Sequence, residues 1–121
     1  MTDAASRDLL TQQARGLLSS VLSQVDFPGS DALLQQVSSV NVVGGPVTML
    51  DFQLTAPAQA SAFTDGPAPL SAIVSDADGK AVGELLVWVE SGYLNGLEFA
   101  WWSDAAPVRL PSPEHVRVAR K

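Results

Sequence analysis

Glu84, Glu90 and Glu98 sit within one aromatic-rich stretch, and two close carboxylates could share general acid and base work or cleave a glycosidic bond. Their spacing opposes this. Glu84 and Glu90 are six residues apart on what reads as a strand, roughly 20 Å, while Glu98 projects from the other side. On a helix-facing side Glu98 needs a cationic partner such as Arg7 or Arg15, or a place at the sheet edge. An enzyme would require Asp51, Glu84 or Glu98 to converge. His115, the only histidine, follows Pro113-Glu114 in a loop or tail, so neither a histidine-based catalytic pair nor a multi-histidine metal site can be built. Asp76-Ala77-Asp78-Gly79 opens like a calcium loop, but Val87 occupies the twelfth position, where a glutamate belongs, and a hairpin turn accounts for the motif. Gly44-Gly45-Pro46 precedes no helix and forms no phosphate loop. The chain has no cysteine, hence no thiolate zinc site, disulfide or cysteine nucleophile. No catalytic set, cofactor site or metal site emerges, and the protein reads as non-enzymatic.

The elements that position these side chains follow from hydrophobic periodicity. Leu9, Leu10, Ala14, Leu17, Leu18, Val21, Leu22 and Val25 recur at helical spacing, predicting an amphipathic helix over about 3–25. Arg7, Asp8, Thr11, Gln12, Arg15, Ser19 and Ser23 form its polar face; Thr2 or Asp3 can cap its start, and Phe27-Pro28-Gly29 stops it. Ser30-Asp31 can open one or two more helical turns through Leu33 and Leu34 before β-type residues begin near Val37. Hairpins are expected at about 37–54, around Gly44-Gly45-Pro46, and at 70–102, turning at Asp76–Gly79 and again at Ser91-Gly92. Between them, residues 55–69 hold three prolines and one large apolar residue, Phe63, and read as a long loop. Pro107, Pro111 and Pro113 keep the 103–121 segment extended until Val116 and Val118 allow a short edge strand or a loose tail. The expectation is a single α+β domain over 1–121: an N-terminal amphipathic helix packed on a largely antiparallel sheet of about five strands.

All three tryptophans and the only tyrosine lie between Gly83 and Trp102. A Ser91-Gly92 turn pairs Glu90 with Tyr93, Trp88 with Asn95, Leu86 with Leu97, Glu84 with Phe99 and Val82 with Trp101, all on one side. The opposite side, with Leu85, Val87, Val89, Leu94, Gly96, Glu98 and Ala100, is the expected helix-facing core. One helix covers one face, so the Trp88, Tyr93, Phe99 and Trp101 side, edged by Glu84 and Glu90, is the candidate binding face. The alternative is a second core layer beneath the 55–69 loop or the proline-rich segment.

Thirteen acidic residues against seven basic ones oppose the phosphate neutralisation that nucleic-acid binding needs. No apolar run of membrane-spanning length and no signal-peptide pattern occurs, so a cytoplasmic protein with no membrane or nucleic-acid partner is expected. Arg outnumbers Lys and Ala, Val and Gly are frequent, which fits a high-GC bacterial genome.

The string from Gly83 to Phe99, followed by Trp102, Pro107 and Leu110-Pro111-Ser112-Pro113, resembles the C-terminal pattern of small uncharacterised bacterial proteins with a G-Y-L-x-x-L-E strand and an L-P-x-P segment. Some of these look like immunity proteins of polymorphic toxin systems. The resemblance implies a non-enzymatic α+β protein that binds another protein. A second copy of the chain is the other expected occupant of the aromatic face, and a small molecule held between the sheet and the 55–69 loop is the alternative function.

Overall fold

The structure, a computed structural model, describes residues 4–121; the cap expected at Thr2 or Asp3 lies outside them. Helix α1 (Ala4–Ser23) is followed by α2 (Ser30–Gln36) and a 3-10 turn (Val37–Ser39). The strands are β1 (Val40–Gly44), β2 (Met49–Leu54), β3 (Gly66–Pro67), β4 (Leu70–Ser75), β5 (Ala81–Glu90), β6 (Tyr93–Trp101) and β7 (Val116–Arg120), with a second 3-10 turn at Pro113–His115. All pairings are antiparallel, in the order β1-β2-β6-β5-β4-β7, and β3 adds to β5 beside Trp88 and Val89.

The α+β class is as expected, but the sheet has seven strands rather than about five. One addition is β3, a two-residue bridge hidden in the proline-rich stretch, too short for any periodicity to reveal. The other is β7, which the alternation of Val116 and Val118 allowed; it takes the free edge of β4. The first hairpin begins at Val40, because the chain stays helical through Ser39.

Ala14, Leu17, Leu18, Val21 and Leu22 of α1 are buried with Leu33 of α2 over the inner sheet face, made by Val42, Leu50, Ala72, Leu85, Val87, Leu97 and Phe99. Burying a Leu or Val side chain contributes about 1.5–3 kcal/mol, which sets the orientation of α1. Leu9, at the helix start, is 57% exposed.

Two of the polar residues of α1 turn inward instead of to solvent. Thr11 Oγ1 accepts the Val42 amide at 3.0 Å and donates to Asn41 Oδ1, and Arg15 Nε donates to the Val40 carbonyl at 2.7 Å. Val40 and Val42 point these groups away from β2, so α1 satisfies the free edge of β1 that would otherwise template pairing with another chain.

The 55–65 loop is fastened to the β5–β6 turn. Ser61 donates its amide to Gly92 O and its hydroxyl to Gly29 O, Gly92 N donates to Thr64 O, and Ser91 N to Asp65. The rings of Phe27 and Phe63 meet edge to face at 6.1 Å. Ser91 and Gly92 both have positive φ, 53° and 85°, the signature of a tight hairpin turn whose second residue favours glycine. A Cβ on Gly92 would lie 2.9 Å from Ser61 O.

At the centre of this junction lies Gln36, wholly buried. Its Nε2 donates to Gln59 O and Gly92 O, both at 2.9 Å, and its Oε1 accepts the Leu94 amide at 2.8 Å. One side chain thus joins α2, the loop and the hairpin.

Candidate functional site

The sheet face away from the helices carries the strongest candidate. Near the turn the pairing is the expected one, Glu90 with Tyr93 and Val89 with Leu94, but a bulge at Asn95 shifts every later pair by one residue. Trp88 therefore opposes Gly96, Leu86 opposes Glu98, Leu85 opposes Phe99 and Gly83 opposes Trp101. A one-residue slip sends each following side chain to the other face.

The slip corrects three expected placements. Phe99 is buried in the inner core, 5% exposed, beside Leu85 and beneath the helices. Trp101 belongs to the same inner row but lies at the sheet margin, 41% exposed, near the equally peripheral Trp102. Glu98 faces outward and needs neither Arg7 nor Arg15; its Oε1 accepts the Trp88 indole N–H at 3.0 Å. Glu84 stays on the outer face as expected, and Glu90 and Tyr93 form the exposed pair at the hairpin tip.

The outer face is assembled in register rows. Asp51 of β2, Gly96 of β6 and Trp88 of β5 make one row; Met49, Glu98 and Leu86 make the next. A third joins Ala100, Glu84, Ile73 of β4 and Arg117 of β7. Asp51, Glu98 and Glu84 consequently descend diagonally across three adjacent strands, each about 7–8 Å from the next at the backbone. Trp88, Leu86, Met49, Ala100 and Ile73 flank this diagonal with apolar surface. Among the described residues, the carboxylates of Asp51 and Glu84 have no hydrogen-bond or ion-pair partner, and that of Glu98 has only Trp88.

Among the described residues, no helix or loop packs over these rows. Both helices pack on the inner face, the 55–65 loop is tied to Gly29, Gln36 and Gly92, and Val108–Pro113 borders α1 at Leu9, Gln13 and Gly16. The alternative reading of this face, a second core layer beneath the 55–69 loop or the proline-rich segment, therefore does not describe Trp88.

A separate groove of about 420 Å³ opens where β2 and β6 part. They pair only through Met49–Asp51 with Gly96–Glu98, and beyond the bulge Phe52, Leu54, Tyr93, Leu94 and Asn95 diverge beneath Ala56, Pro57 and Ala58. This cavity lies between the sheet and the loop, and Trp88, Phe99 and Trp101 take no part in its walls.

The remaining reactive groups are dispersed. Asp76 Oδ1 accepts the amides of Asp78 and Lys80, the job of a turn-forming carboxylate. His115 is exposed beside Glu114 and Arg117 at an open polar cleft. Among the described residues no three His, Asp or Glu side chains gather as a metal site, and no helix is long and apolar enough to cross a membrane.

Periodicity alone did not reveal Met49, Asp51 and Ile73 as neighbours of Trp88, nor Gln36 as the internal clamp. One local signal was present: Asn95-Gly96 inside a strand pattern marks a bulge or a close backbone approach. Both occur here, since a Cβ on Gly96 would lie 2.8 Å from Leu50 O. No protein-family pattern matches the chain, and no curated protein or solved structure resembles it significantly.

Proposed function

We propose that this chain is a non-enzymatic, cytoplasmic binding protein that docks another protein on its outer sheet face, around Trp88, Leu86 and Glu98. The observation that carries this reading is the uncovered, partly apolar face itself. A half-buried Trp whose ring orientation is held by Glu98 is a pre-oriented contact residue, ringed by polar groups as binding surfaces are. An immunity-like role, in which the face occludes the working surface of a toxin, is the concrete version that the resemblance of the C-terminal pattern suggests.

The groove between β2 and β6 favours a second reading, a small-molecule module. Its volume, about 420 Å³, falls in the range of ligand pockets, but its open form leaves much of a bound ligand exposed to solvent.

Site-specific photo-crosslinking in the native cell tests the docking reading. A benzophenone amino acid in place of Leu86 or Ile73 is expected to trap one discrete protein, whereas the same group in place of Ser19, exposed on α1, should not. Equal trapping from both sides, or none from the sheet, overturns the reading.

A further inference from the structure

Resting on the outer-face reading, we infer that the docked partner is basic and presents arginine side chains to Trp88 and the Asp51–Glu98–Glu84 diagonal. Three carboxylates project from adjacent strands onto an uncovered face, and their charges are not neutralised by neighbours. Glu98 spends one oxygen on the indole N–H, which leaves the other as an acceptor beside the Trp88 ring. A guanidinium can stack on an indole and donate in parallel to a carboxylate at its edge. An ammonium lacks the planar fork and is more strongly hydrated, so lysine satisfies the same place less well.

A second copy of the chain fits this face poorly. Two-fold pairing sets a patch against itself, which would bring the three carboxylates toward their own duplicates. Arg117, in the row of Glu84 but two strands away, and Lys121, whose amide continues the β7 ladder to Pro69 O, are the cations that alternation along β7 places on this side. Both lie at the β7 margin, so they mark the border of the acidic surface and leave the sign of its centre negative. The charge of the chain as a whole, −6, steers a basic partner in the same direction.

The test has two arms. First, the peptide acetyl-Gly-Arg-Gly-Arg-Gly-amide is titrated into the 15N-labelled protein while the Trp88 indole resonance, assigned by its loss in Trp88→Phe, is followed. A saturable shift that weakens with added salt is expected, smaller with lysine in place of arginine and absent with uncharged citrulline. Equal shifts with arginine and citrulline, or no shift with either, overturn the inference.

Second, crosslinking from position 86 is repeated in Asp51→Asn/Glu84→Gln/Glu98→Gln. Glutamine at 98 still accepts the indole N–H, so the face keeps its shape. Capture should fall about tenfold, as three surface charge pairs are lost, while Asp8→Asn/Asp104→Asn/Glu114→Gln removes equal charge elsewhere and captures normally. Undiminished capture by the outer-face variant overturns the basic-partner inference and leaves the docking reading standing. No capture by the wild-type chain removes the docking reading itself.

Discussion

Replacing Gln36 by leucine isolates the contribution of the internal clamp, because the side-chain volume is nearly conserved while all three hydrogen bonds disappear. The losses are unequal. Gly92 O keeps the Ser61 amide at 2.8 Å, and Gln59 is exposed enough for water to replace its lost donor. The Leu94 amide, by contrast, is buried and has Gln36 Oε1 as its acceptor at 2.8 Å. An orphaned buried amide costs about 1–3 kcal/mol, and the lost bonds to the two carbonyls add a fraction each. Burying a leucine in place of an amide offsets part of this, for a net destabilisation of about 2 kcal/mol. For a chain of this length that corresponds to a fall in Tm of about 8 °C. Thermal unfolding followed by circular dichroism supplies the number, and amide exchange at Leu94 supplies the cause, since its protection should collapse more than that of Leu85. A Tm within about 2 °C of wild type, with Leu94 still protected, would refute the assignment of Gln36 as the group that satisfies the bulged strand.

Two further outcomes probe the register and the sheet edge. Phe99→Ala should destabilise by about 3–5 kcal/mol, as expected of a large core truncation, whereas Trp101→Ala at the exposed margin should cost less than about 1 kcal/mol; urea unfolding of both variants would expose a wrong register by reversing the order. Thr11→Val leaves the Val42 amide without its acceptor inside the α1–β1 junction and should cost about 1–2 kcal/mol, with faster exchange at Val42 as the local readout.

Helix α1, the hairpins and their turns were legible from the chain because they rest on local chemistry. Apolar residues at helical spacing define the buried stripe of α1, and Gly92 and the Asp76 carboxylate specify turns within a few residues of themselves. Apolar residues lined both sides of the central hairpin, so alternation alone could not distinguish its two faces; the outward-facing Glu98 and the inward-facing Phe99 depend on one extra residue at Asn95. That bulge coincides with the close approach of β2 to Gly96 and with the capture of the Leu94 amide by Gln36, a residue 58 positions earlier. Thr11 and Arg15 likewise read as a solvent face, until α1 met the free edge of β1 and used them there. Periodicity records which residues want burial together within one element. Which side of the sheet is left for a partner was decided only when distant elements competed for the same backbone groups.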